Sequence, residues 1–177
     1  SATAIASPGC VRFHLAITYT PEDMADSLPQ GRCMIEFGHL THAGLRRELN
    51  EDTYYGDSDL GLWLVADGMG GHNDGELASH LVATRLAERL GAAEPEKIAS
   101  VLHAVNAELF EVVALRPELA GMGTTVVGLC QAGASIAIFN VGDSRAYRID
   151  KEALVQLSVD DSEDTDWKPG SLFARSG

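Results

Sequence analysis

The sequence predicts an α+β fold. Three observations carry that prediction: short apolar runs broken by glycine and aspartate ahead of residue 70, two stretches of helical periodicity between residues 76 and 117, and further short apolar runs beyond residue 121. Strands, then helices, then strands again is the order of a segregated α+β domain, whereas an α/β domain alternates the two throughout.

Taken in order, residues 1–32 carry Pro8, Pro21 and Pro29 without sustained periodicity. They are expected to form an N-terminal extension of uncertain order, leaving residues 33–177 as the domain. A strand over about 34–40 should lead into a loop carrying Arg47, followed by a strand at Thr53-Tyr54-Tyr55 and a turn at Gly56-Asp57-Ser58-Asp59. Next, the unbroken apolar run Leu62-Trp63-Leu64-Val65-Ala66 reads as a buried strand ending on Asp67, so the three strands together are expected as a β-meander.

From Glu76 to Leu90, the residues Leu77, Leu81, Val82, Leu86 and Leu90 recur at helical spacing. Pro95 suits a helix start, and Ile98, Val101, Leu102, Val105, Leu109, Val112 and Val113 form one stripe up to Pro117. Both stripes should pack on a sheet. The runs 124–130, 135–141, 145–149 and 154–157 are separated by tight-turn residues, which implies antiparallel pairing.

Composition excludes several classes of function. A net charge of −13 over 177 residues argues against nucleic acid or an anionic membrane as partner, because an acidic surface gains nothing from counterion release. Hydrophobic content of 45% with 22% charged residues is that of a soluble globular domain. Cys10, Cys33 and Cys130 show no CxxC spacing and suggest reduced thiols in a cytoplasmic protein, with Cys130 in a strand core. No apolar run reaches about 18 residues, so no membrane span is expected. Ser7-Pro8-Gly9-Cys10 has the outline of a lipoprotein cleavage box, but neither a basic start nor an apolar run precedes it.

The chemistry concentrates where the apolar run meets Asp67-Gly68-Met69-Gly70-Gly71-His72. A carboxylate at the rim of a core, followed by glycines that let the backbone approach closely, suits a hard cation. Two further acidic groups, Glu51-Asp52 and Gly142-Asp143, also sit beside strands, and no Cys or His set has metal-ligand spacing. An all-oxygen site of this kind favours Mg²⁺ or Mn²⁺ over zinc. The competing reading of each acid is an ordinary turn or cap residue, strongest for Asp143 in its Gly142-Asp143-Ser144 turn.

Arg47 with Asn50-Glu51-Asp52, then Asp67 to His72 with Gly75-Glu76 and Ala78-Ser79, then Gly121-Met122-Gly123-Thr124-Thr125, then Val141-Gly142-Asp143-Ser144-Arg145 with Tyr147, together resemble the metal-dependent protein phosphatase 2C family in its bacterial form. The motifs stand in the family's order. The resemblance implies two stacked antiparallel sheets flanked by helices, an α-β-β-α sandwich. It also implies that Asp67 bridges two divalent ions, that a third can join them, that the Gly68 carbonyl touches one of them, and that Glu51 and Asp52 hold their waters. Asp143 matches a further, weaker metal position. Two cations about 3.5 to 4 Å apart can share a water, acidify it and aim it at phosphorus.

By the same resemblance, Arg47 grips the substrate phosphate, where a planar guanidinium offers paired donors. Histidine as general acid is less direct: eukaryotic relatives place it between the first two glycines, where this chain has Met69, and His72 comes three residues later. The family's closing Ser-Asp-Gly and Asp-Asn motifs do not occur after Leu157, so the domain is expected to be incomplete at its C-terminus. The implied function is a serine/threonine protein phosphatase, a monomer acting on phosphoproteins made by a serine/threonine kinase. The alternative is a catalytically incompetent module that binds phosphoproteins.

Overall fold

The computed structural model describes residues 2–5, 14–18, 35–45, 49–70, 74–90, 94–132, 135–150 and 153–160. Its strands are β1 (Ala2–Ile5), β2 (His14–Thr18), β3 (Glu36–Leu40), β4 (Asp52–Asp57), β5 (Leu62–Met69), β6 (Gly123–Thr124), β7 (Val126–Ala132), β8 (Ser135–Val141), β9 (Ala146–Asp150) and β10 (Ala153–Gln156), with helices α1 (Asp74–Arg89) and α2 (Ile98–Leu115) between β5 and β6. One antiparallel sheet runs β10-β9-β1-β2-β3. The other runs β4-β5-β7-β8, with β6 also paired to β5. The α+β class and the two stacked antiparallel sheets are as expected.

β5 shows why its sequence is apolar without alternation. Leu62 and Leu64 are fully buried in a cluster with Val82 and Leu86 of α1 and Leu102, Val105 and Leu109 of α2, while Trp63 and Val65 are buried in a second cluster with Ile35, Val127 and Ala146. A strand covered on both faces needs apolar residues at every position. The helices follow equally local rules: α1 places Asp74 and Glu76 in its first turn and Arg89 in its last, each favourable to the helix dipole. α2 is entered through a 3-10 turn at Pro95–Lys97 and stops before Pro117. Glu108 of α2 takes both Arg85, at 3.1 Å, and Arg89 of α1.

The structure departs from the sequence expectations in four places. β3, β4 and β5 are not a meander, because β3 pairs with β2 and lies over the other sheet. Phe37 meets Trp63 edge-on with ring centroids 6.4 Å apart, and His39 stacks on Tyr54 at 3.7 Å. These aromatic contacts make β3 a facing strand. Secondly, β1 and β2 come from the stretch expected as an extension, with β1 pairing with both β2 and β9. Thirdly, β5 does not end at Asp67 but continues to Met69 by pairing with β6.

The fourth departure concerns α2. The stretch Pro95–Leu115 is long and apolar enough to cross a membrane by length and composition, with mean hydropathy 1.6, which corrects the expectation that no stretch qualifies. Alanine and valine raise its hydropathy between sparse charges. Its inward residues Ile98, Leu102, Val105 and Leu109 belong to the core.

Candidate metal and phosphate site

Neighbouring strands deliver polar residues to one end of the second sheet. Asp52 is paired with Asp67 across β4 and β5. β5 pairs with β7 as far as Val65–Val127 and with β6 from Gly68–Thr124, two parts of one register, so Thr125 stands opposite Asp67. β7 pairs Val126 with Val141, which brings Gly142 opposite Thr125. The row therefore runs Asp52, Asp67, Thr125, Gly142, with Asp143 just beyond it.

Strand alternation sets the faces. Asp67 shares a face with Trp63 and Val65, and Asp52 with Tyr54, all three members of the cluster between the sheets. Both carboxylates are half-buried at the open end of that layer, and Asp52 Oδ2 is shut from solvent. Glu51 belongs to the opposite face. A Cβ on Gly75, in the first turn of α1, would fall 2.5 Å from Glu51 Oε1, so this carboxylate lies against the helix N-terminus. Asp143 is exposed on a turn that Gly142 makes at φ +95°.

The backbone between these acids is held by specific bonds. Asp52 N–H donates to Asn50 Oδ1 at 3.2 Å, and Asn50 Nδ2 donates to Thr41 Oγ1 at 2.6 Å. The Glu51 carbonyl accepts from Gly68 N–H at 3.2 Å and from the buried Ser79 hydroxyl at 2.6 Å. Gly68 has to be glycine: a Cβ there would stand 2.0 Å from the Gly75 carbonyl oxygen and 2.6 Å from that of Glu51. This tight packing fixes the strand where it carries Asp67.

On the far side of Asp67, its N–H donates to Thr125 Oγ1 at 3.3 Å while Thr125 N–H donates to the Asp67 carbonyl at 2.9 Å. Thr125 Oγ1 also lies 2.6 Å from Ser144 Oγ. Arg145 closes the end of the row in a bidentate pair with Asp160, Nε standing 2.8 and 3.0 Å from the two carboxylate oxygens. Those bonds hold the Asp160 carboxyl below the usual carboxylate range.

Of the residues singled out from sequence, Asp52 and Asp67 are brought together, Gly68 is adjacent, and Glu51 and Asp143 flank them. Arg47 and His72 lie outside the described residues. Among the described residues, no group of three or more His, Cys, Asp or Glu side chains gathers as a ready metal cluster. The pair nevertheless fits a hard divalent cation, since two carboxylates directly opposed in a sheet repel each other unless positive charge stands between them. Sequence reasoning left Ser79, Thr125, Ser144 and the Arg145–Asp160 pair without site roles. The hydroxyls stand inside the motifs that carry the resemblance, but nothing in the sequence assigned them a task, and the ion pair joins residues 15 positions apart.

Comparison with known proteins agrees with this geometry. The protein phosphatase 2C family profile matches residues 44–166. The chain is 36% identical over 134 residues to the serine/threonine protein phosphatase PstP of Mycobacterium tuberculosis, covering 73% of this chain and 26% of that protein. It is 35% identical over 133 residues to the serine/threonine phosphatase Stp of Listeria monocytogenes, covering 69% of this chain and 53% of that one. The chain thus spans between about a quarter and a half of these relatives' length. The crystal structure of Stp1 from Staphylococcus aureus superposes with a TM-score of 0.66 at 32% identity, over 78% of this chain and 58% of that one. The PstP catalytic domain in complex with two manganese ions gives 0.62 at 28% identity, over 92% and 58%. With the family profile spanning the Asp52–Asp67 pair, the glycine-packed strand end and the Gly142-Asp143 turn, the chain belongs to the protein phosphatase 2C family.

Proposed function

We propose that this chain serves a metal-dependent phosphatase that hydrolyses phosphoserine and phosphothreonine on proteins, using Mn²⁺ or Mg²⁺. The observation that carries the reading is the opposition of Asp52 and Asp67 on one face at the open end of the sandwich. The two manganese ions of the PstP catalytic domain support it from a relative. Bound there, divalent cations would acidify water and neutralise a phosphate's charge.

The residues have distinct tasks in this reading. Asp67, with Asp52 opposite and the Gly68 carbonyl next in the chain, would hold the cations, and exposed Asp143 suits a more weakly held further ion. Glu51, resting on the α1 N-terminus, would brace the strand end that carries Asp52. Arg47 would orient the phosphate through paired guanidinium donors, and His72 would offer a proton to the departing serine or threonine oxygen. The partner is a phosphoprotein produced by a serine/threonine kinase, met in the cytoplasm by a monomer.

The test joins calorimetric Mn²⁺ titration to hydrolysis of p-nitrophenyl phosphate in the intact protein. Asp67→Asn should abolish both tight Mn²⁺ binding and turnover, a loss of several kcal/mol of transition-state stabilisation. A variant that kept more than about a tenth of the activity would refute the assignment. Phosphopeptide binding without turnover by the wild-type protein would instead establish the binding-module alternative.

A further inference from the structure

The β5 pairing is interrupted between Val65–Val127 and Gly68–Thr124, and within that gap Thr125 faces Asp67. In a regular antiparallel ladder every second opposed pair exchanges two backbone bonds, and the bond from Thr125 N–H to Asp67 marks this pair as one of them. Thr125 N–H makes its half of that exchange with the Asp67 carbonyl at 2.9 Å, but the Asp67 N–H goes to the Thr125 hydroxyl at 3.3 Å. The Thr125 carbonyl accepts instead from Thr124 Oγ1 at 2.9 Å. A side chain has taken a backbone group's place in the ladder.

This substitution links two loops that the backbone alone would leave independent. Thr125 Oγ1 stands 2.6 Å from Ser144 Oγ, and Ser144 is buried directly after Asp143. The methyl end of Thr125 fixes the same turn sterically, since a Cβ on Gly142 would fall 2.8 Å from Thr125 Cγ2. One side chain therefore grips the backbone of Asp67 and both neighbours of Asp143.

We infer that Thr125 is a positioning residue that sets the distance between Asp67 and the Asp143 turn, and so tunes the affinity of the site for its divalent cations. The inference rests on the metal-dependent reading above. Groups that orient metal ligands typically change metal affinity about 10- to 100-fold when removed. Thr125 touches neither substrate nor metal in this account and acts through the two aspartates.

Thr125→Val retains the shape and removes the hydroxyl, whereas Thr125→Ser retains the hydroxyl. In calorimetric Mn²⁺ titrations of the intact protein, Thr125→Val should bind about tenfold or more weakly, with Thr125→Ser close to wild type. In the metal-free protein, amide exchange at Asp67 and Ser144 should accelerate together in Thr125→Val. Val127→Ala, a core truncation two residues along the strand, should lose thermal stability but keep its Mn²⁺ affinity. Should Thr125→Val fail to fold, Ser144→Ala removes only the second hydroxyl and should still weaken Mn²⁺ binding. Wild-type affinity in Thr125→Val, or an equal loss in Val127→Ala, would overturn the inference while leaving the metal-dependent reading intact. A wild-type protein that binds no Mn²⁺ would overturn both.

Discussion

Asp52 stands directly opposite Asp67 in the β4–β5 register, both half-buried on the face between the sheets. Opposed like charges cost a sheet about 0.2 to 1 kcal/mol, and here strand pairing on one side and glycine packing on the other keep the pair from drifting apart. The arrangement is unfavourable for a metal-free fold and favourable for holding a dication.

That relationship makes a two-sided prediction. Asp52→Asn should raise the metal-free melting temperature slightly, in keeping with relief of about 0.5 kcal/mol of repulsion, and should weaken Mn²⁺ binding at the same time. Calorimetry in the presence of a chelator, followed by Mn²⁺ titration, measures both. A variant destabilised without metal would show that Asp52 serves the fold and not the cation.

Gly68 tests the packing that holds Asp67 in place. Gly68→Ala would drive a Cβ to within 2.0 Å of the Gly75 carbonyl oxygen, a backbone atom that cannot swing aside. Urea unfolding should report a loss of about 3 kcal/mol. Gly38→Ala, in an exposed strand with nothing within 4 Å of the added methyl, should change stability little. Comparable losses at both sites would mean that the close approach at Gly68 relaxes freely.

The Arg145–Asp160 pair gives a pH dependence of definite sign. Its hydrogen bonds to Arg145 hold the Asp160 carboxyl below the ordinary range, so the folded state binds the proton less readily than the unfolded chain. The stabilisation is therefore present above the unfolded value near about 4 and is lost as the pH falls through the lower folded value. With the side chains 36% and 29% exposed, solvent screening limits it to about 1 kcal/mol. Asp160→Asn should accordingly be less stable than wild type at neutral pH, with the two unfolding curves converging as the pH falls through the lowered folded value. A gap that stayed constant with pH would point to lost packing in place of lost charge.

Legibility from sequence followed the range of the interaction. β5, α1 and α2 could be read because their apolar residues answer to a local period, and Asp67-Gly68 because a charge at the end of an apolar run is unusual anywhere. The assignment of β3 to the facing sheet could not be read, since it depends on Phe37 finding Trp63 and His39 finding Tyr54 across the core. Thr125 was hidden for a related reason. A threonine entering a strand is unremarkable until its register partner proves to be Asp67. Glu51 and Asp52 are adjacent in sequence and look equivalent, yet strand alternation sends one toward α1 and the other toward the gap between the sheets.

Arg47, three residues before Asn50 in sequence, is the residue expected to orient phosphate. Asn50 donates to Thr41 Oγ1 at 2.6 Å and accepts from Asp52 N–H at 3.2 Å, which fixes the chain where it enters β4 beside Asp67. If Arg47 orients phosphate, Arg47→Ala should raise KM for a phosphopeptide about tenfold, the scale of one charge-assisted bidentate contact, with a smaller effect on kcat. Arg47→Lys should recover only part of the loss, because an ammonium cannot offer two parallel donors. Arg46→Ala should be nearly silent, and Asn50→Ala should raise KM by freeing the entry to β4 without removing the guanidinium. Steady-state kinetics on the four variants separates these effects, and a larger KM change at Arg46 than at Arg47 would move the phosphate contact by one residue along the chain.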